Sequence, residues 1–194
     1  MLTAIKYNLA HLADFSGRED RPTFWWYVLF LVIVDIVLGL IISGSMAAGG
    51  ISAAYQAAQS GASQEAIQAQ VMQQMGAHIG TMMWLSGGLK LIIIALSVAA
   101  FVRRLHDSNN SGWWAAFAVA TQVATLAIGL AMASQLEAMI ASMASGDLTP
   151  ALQQQAEMSR LGLLGWVAPL IVLVFGVMKS TPGPNKYGEV PQAI

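Results

Sequence analysis

The sequence contains no cysteine. Disulfide staples, thiolate nucleophiles and Cys-ligated zinc or iron–sulfur centres are therefore excluded, and stability has to come from packing. Charge is scarce as well: Asp, Glu, Lys and Arg make up 10% of the 194 residues against 56% hydrophobic, with a formal net charge of -1. A soluble domain carries about a quarter charged residues, and a nucleic-acid partner asks for an excess of positive charge that this chain lacks. No pair of His or carboxylate residues shows a metal-ligand spacing. Nothing in the sequence is placed to complete an acid–base centre with the adjacent His106 and Asp107, and neighbouring residues seldom face each other on regular structure. What is present in abundance is apolar surface: the mean hydropathy is +0.60, and such a chain belongs in a bilayer.

Crossing hydrocarbon takes about 20 largely apolar residues in a helix. Four segments qualify: 24–43, 82–102, 113–133 and 161–178. Their apolar runs lack the two-residue alternation of a barrel strand, so each has to satisfy its backbone as a helix. The expected fold is all-α, a single integral membrane domain built as a four-transmembrane-helix bundle, with a short N-terminal interfacial helix in segment 1–23 and a tail at 179–194. Lys6, Arg18, Arg21, Arg103, Arg104, Lys179 and Lys186 flank the spans on one side, and the two opposite loops hold only Arg160. The positive-inside rule then puts both termini in the cytoplasm. A cleaved signal peptide fits the first span poorly, because a signal core is shorter and seldom carries an acid such as Asp35. Arg103 and Arg104 are expected at anionic headgroups, and Trp113 and Trp114 in the interfacial aromatic belt.

The outer loops 44–81 and 134–160 are rich in Ala, Gln, Met and Leu and are expected to form helical hairpins extending the bundle. Gly49-Gly50 and Ser60-Gly61 punctuate the first, with Ser63 as a helix cap. In the second, a helix runs to Gly146 and restarts at Thr149-Pro150. Pro169 is expected to bend the fourth span near its middle. Before the first span, Leu2, Ile5, Leu9 and Leu12 recur at helical spacing opposite Thr3, Asn8 and His11. That pattern suits a helix lying in the interface or one packed on the protein's own loops.

Two constellations have chemical readings. Asp35 lies eleven residues beyond Phe24 and Lys90 twelve before Val102, about 16 and 18 Å along their helices, so antiparallel neighbours place them level. They read as an ion pair locking two helices, or as a proton- or substrate-handling site of a transporter or channel. Most of the 11 Met residues fall on the outer side, and Met72, Met75, Met139 and Met143 with His78 are candidates for a soft cation such as Cu(I). The plainer account is that Met fills irregular helical cores.

Three polar strings share the predicted inner side: Phe15-Ser16-Gly17-Arg18-Glu19-Asp20-Arg21-Pro22-Thr23-Phe24-Trp25-Trp26, Arg103-Arg104-Leu105-His106-Asp107 leading to Trp114, and Thr181-Pro182-Gly183-Pro184-Asn185-Lys186-Tyr187-Gly188. In this order they resemble the family of small bacterial inner-membrane proteins catalogued as domain of unknown function 805. The likeness covers residues 1–43, 80–133 and the C-terminal segment, and this chain departs from the family pattern in its long outer hairpins. The resemblance implies an inner-membrane location and a cytoplasmic cluster of Arg18, Arg21, Arg103, Arg104, His106, Asp107, Asn185 and Tyr187. It supplies no reaction, cofactor, ligand or catalytic residue. Asp107 is expected to pair with Arg18 or Arg21 as well as to cap a helix.

The expectation is thus a structural, scaffolding or regulatory component of the inner membrane, not an enzyme. A transporter at Asp35 and Lys90, or an outer-face binding module in the Met-rich hairpins, are its rivals. Its partners are the bilayer with its anionic headgroups, and a second copy or another membrane protein.

Overall fold

The structure is a computed structural model and describes residues 1–144, 152, 155 and 159–191. Helix α1 covers Leu2–Ala10, α2 Arg21–Gln59, α3 Gln64–Asp107 and α4 Trp113–Ala144. A 3₁₀ segment, Leu163–Trp166, leads into α5, Val167–Val177. The protein is all-α: among the described residues the sole extended pairing is an isolated antiparallel bridge between Asn185 and Gly188. Four helical stretches are long and apolar enough to cross a membrane, Arg21–Gln59, His78–Asp107, Trp113–Ala131 and Ser159–Val177. Each overlaps one predicted span, and the chain is a multi-pass membrane protein.

Local chemistry explains the helix ends. Asp20 opens α2, its carboxylate accepting the Thr23 N–H at 3.3 Å, and Pro22 sits in the first turn where no N–H is needed. Gly61 at φ +72° closes the same helix. Its N–H reaches Ala58 and the Ala62 N–H reaches Ala57, the paired bonds of a Schellman motif. The Ser63 hydroxyl then accepts the Ala66 N–H at 3.3 Å and starts α3. Asn109, at φ 59°, repeats the motif after α3, with Asn110 N–H bonded to Leu105 O at 2.8 Å. Ser111 stands at the head of α4, its hydroxyl 3.4 Å from the Trp113 N–H. The cap expected of Asp107 thus falls to Ser111, and Asp107 is the last residue of α3.

Three other expectations are corrected. Gly49 and Gly50 do not interrupt α2; glycine costs a helix only about 1 kcal/mol relative to alanine, and the flanking residues outvote it. The fourth span loses α-geometry at Leu163–Trp166, upstream of Pro169, which occupies the first turn of α5. The proline ring conflicts with the carbonyl four residues earlier, that of Gly165, so the departure is displaced toward the N-terminus. In α1 the buried positions are Ala4, Ile5 and Asn8, while Leu2 and Leu9 are exposed. A polar tertiary partner for Asn8 overrides the apolar stripe. Gly146, Thr149 and Pro150 lie outside the described residues.

The chain divides into two compact units. One comprises Met1–Asp35, Leu89–Thr125 and Gly162–Ile194, the other Ile36–Gly88 and Leu126–Leu161. The first holds the main hydrophobic core: Ile5, Phe24, Tyr27, Leu31, Phe101, Leu105 and small residues such as Ala100, Ala115, Ala118 and Ala168. Tyr27 is fully buried there and donates its hydroxyl to Leu96 O at 3.0 Å, satisfying its polar tip. In the second unit Ala53 and Ala57 are buried.

Candidate functional site: a buried ion network

Arg103 and Arg104 are adjacent on α3, so their side chains leave the helix about 100° apart. They reach different parts of the chain. Arg104 shares a face with Asp107 three residues on, and its Nη1 donates to Asp107 Oδ2 at 2.5 Å. Its remaining nitrogens donate to the carbonyl of Gly176 at 3.2 Å and to that of Met178. Arg104 thereby caps the C-terminal end of α5, where carbonyls lack helical partners. The Gly176 carbonyl also accepts the Trp25 indole N–H at 3.1 Å. A side chain is impossible at that glycine without rearrangement, since an added Cβ would lie 2.7 Å from Trp25 Cζ2 and 3.0 Å from Phe24 Cε1.

Asp107 is the hub of this half. Its Oδ1 accepts Arg18 Nε at 3.1 Å and Nη2 at 3.0 Å, and its Oδ2 accepts the Ser180 hydroxyl at 2.5 Å besides Arg104. Its backbone carbonyl takes the Thr181 N–H at 2.9 Å. Arg18 continues into the tail through Gly183 O at 2.7 Å, Thr181 O at 2.8 Å and Gly188 O at 3.4 Å. The tail can offer these carbonyls because Gly183 adopts φ +77° after Pro182, a turn that other residues resist. The side chains of Arg18, Arg104 and Asp107 are 0% exposed.

Arg103 organises the other half. Its Nε and Nη2 both lie 3.0 Å from Glu19 Oε2, Nη2 also donates to Asn8 Oδ1 at 2.5 Å, and Nη1 donates to His11 O and Asp14 O. Asn8 in turn donates to Glu19 Oε1 at 2.8 Å and to Ala4 O. The Glu19 N–H binds the Arg103 carbonyl at 3.1 Å, and the guanidinium sits 5.5 Å from the centre of the Tyr7 ring. Burial pushes the Glu19 carboxyl above its ordinary pKa, opposed by the Arg103 charge and the Asn8 hydrogen bond.

Burying so many charges is expensive unless every lone pair and N–H finds a partner. Here each guanidinium nitrogen and each carboxylate oxygen of Arg18, Glu19, Arg103, Arg104 and Asp107 has one. The one buried side-chain oxygen or nitrogen without a partner among the described residues is Thr23 Oγ1. Arginine does not give up a proton in proteins, and the Asp107 oxygens are saturated, so the cluster fixes geometry.

His106 and Asp107 point to different surroundings, and no acid–base pair forms. The His106 ring stacks on Tyr187 with centroids 3.8 Å apart and planes 6° from parallel, and its Nδ1 lies 3.2 Å from Gly17 O. Asn185 donates to the His106 carbonyl at 2.9 Å and accepts the Tyr187 N–H at 2.9 Å, which orients the aromatic tail residue. Beside the stack is an open cleft of about 350 Å³ lined by His106, Ser111, Gly112, Trp113, Ala116 and Tyr187.

Of the predicted cluster, Arg18, Arg103, Arg104, His106, Asp107, Asn185 and Tyr187 come together. Arg21, half-buried at the head of α2, lies near enough for its charge to act on Arg104, but it forms no salt bridge among the described residues, and Asp107 pairs with Arg18 instead. Glu19 and Asn8 were not foreseen. Glu19 stands inside a quoted string next to Arg18, a signal that a second buried cation needs an acid. Asn8 gave none, because its spacing puts it on the polar face of α1.

Asp35 and Lys90 meet as their depth calculation requires, Nζ to Oδ2 at 2.6 Å, with side chains 28% and 56% exposed. No group of three or more His, Asp or Glu is placed to hold a metal ion among the described residues. The side chains of Met72, Met75, Met139 and Met143 lie outside the described residues, and His78 is exposed.

No curated protein and no solved structure matches the sequence. A family match, described as Protein of unknown function (DUF805), covers residues 12–189. The match takes in the three polar strings whose side chains build the buried network, and the chain belongs to that family.

Proposed function

We propose that this chain is a bacterial inner-membrane protein with both termini in the cytoplasm, serving as a structural or regulatory scaffold and not as a catalyst. The flanking cations support the orientation, since Arg18, Arg21, Arg103, Arg104, Lys179 and Lys186 share one end. The role rests on one observation above all: the buried charged groups at that end, Arg18, Glu19, Arg103, Arg104 and Asp107, are spent on one another and on neighbouring polar groups, chiefly backbone carbonyls. A reaction centre keeps a nucleophile, base or oxyanion donor free to meet substrate. A network closed on itself instead ties the N-terminal segment, the end of α3 and the C-terminal tail into one rigid platform. The His106–Tyr187 stack and its open cleft form the accessible edge of that platform, suited to receiving a partner.

Crosslinking in native membranes, followed by identification of what co-purifies, tests the role. A specific membrane-protein partner is the expected result. An Asp107→Asn chain that folds and accumulates normally yet has lost its cellular function would overturn the reading, because it would place chemistry at Asp107.

A further inference from the structure

The Asp35–Lys90 pair sits at mid-bilayer depth, about 16–18 Å from the network end along α2 and α3, yet it faces outward: the Lys90 side chain is 56% exposed and that of Asp35 28%. An ammonium has three N–H donors and a carboxylate several acceptor sites. Among the described residues, Lys90 uses one donor, to Asp35 Oδ2, and Asp35 Oδ1 accepts none. Hydrocarbon offers neither donors nor acceptors. The pair is too deep for lysine to extend to the headgroups while keeping its partner.

We propose that a second copy of this chain covers the pair, through a two-fold interface in which Lys90 of one copy donates to Asp35 Oδ1 of the other and the reverse. The occupant follows from charge complementarity. A different partner would have to bring both an acid and a base at this depth and spacing; a second copy brings both by construction, because a two-fold interface sets residue i against j and j against i. Each pair is already neutral, so four charges in a ring add attraction without net charge. Val32, one turn before Asp35 on α2, is 46% exposed, and Leu91 beside Lys90 is 48% exposed. These supply apolar surface that packs as well against a helix as against lipid. The interface does not depend on the scaffold reading.

The absence of native cysteine makes the test direct. In full-length protein in native membranes, Val32→Cys is expected to crosslink to its counterpart with a short bifunctional thiol reagent and to resist a water-soluble maleimide. In nanodiscs, Asp35→Leu/Lys90→Leu is expected to weaken dimerisation at least about tenfold, and the exchanged Asp35→Lys/Lys90→Asp chain to recover it. A wild-type chain that is monomeric in its own membrane, a Val32→Cys thiol open to aqueous label, a different protein captured at that position, or an unchanged dimer of the double-leucine chain would each overturn the proposal. The crosslink reads the wild-type pair and stands even if the double-leucine chain fails to fold.

Discussion

The two ion-pair systems of this protein use the same chemistry in opposite ways. Around Asp107 and Glu19 the ions are fully buried, with side chains 0–1% exposed and every oxygen and nitrogen engaged. At Asp35 and Lys90 there is one hydrogen bond of 2.6 Å on an outward surface. With the spans in hydrocarbon, water could solvate loose ends at the first location but not at the second, yet the first is the closed one. The difference shows that closure is not forced by the solvent outside. It comes from the number of chain segments that converge, and the network end gathers α1, the loop before α2, the end of α3 and the C-terminal tail.

The contrast predicts an order of effects. Asp107→Asn should be the most damaging change, since it leaves Arg18 and Arg104 buried without a countercharge, a loss of about 3–5 kcal/mol; denaturant unfolding in detergent and membrane yield will show it. Arg103→Lys comes next, because one ammonium cannot reach Glu19, Asn8, His11 O and Asp14 O together. About 2–3 kcal/mol is expected by the same assay, and a loss as large as that of Asp107→Asn would erase the distinction between the halves. Gly176→Ala should cost about 1–3 kcal/mol through its clash with Trp25, visible as a shift in the tryptophan emission together with lower stability.

Removing the exposed pair as Asp35→Leu/Lys90→Leu should alter the unfolding free energy of one chain by less than about 1 kcal/mol, because replacing an ion pair with packed apolar groups is close to neutral. A collapse of monomer stability would show that the pair is a structural lock like the network.

The smallest expected effect is a pH dependence. The folded Glu19 pKa is raised by burial, so the folded chain binds its proton more readily than the unfolded chain does. That contribution is full below about 4.5, the ordinary glutamate value, and fades as pH rises through the folded pKa. Glu19→Gln should flatten this slope, and an unchanged profile would assign it elsewhere.

Much of this was legible in the sequence, for identifiable reasons. Span lengths, the level of Asp35 with Lys90, and the convergence of three polar strings follow from helix rise, apolar content and the side on which cations fall. The pairing of Asp107 with Arg18 was one of two alternatives, and distance along the chain could not choose between them. What escaped was set by tertiary satisfaction. Asn8 looks solvent-facing by spacing and is buried because Arg103 leaves a donor and Glu19 an acceptor to satisfy. Gly49-Gly50 looks like a break and is helix, and Gly176 looks like any span glycine until Trp25 is packed against it.

The neighbours Arg103 and Arg104 also divide the chain in time. Every partner of the Arg103 side chain, from Asn8 to Glu19, has already been synthesised when residue 103 is added. The carbonyls that Arg104 needs, at Gly176 and Met178, and the tail groups that complete Arg18 and Asp107, are made only later. The first half of the clasp is free to close early in synthesis, and the second half waits for residues 176–188. A nascent chain arrested before residue 176 would carry an incomplete charge cluster, which makes the arrival of residues 176–188 the event that seals the network.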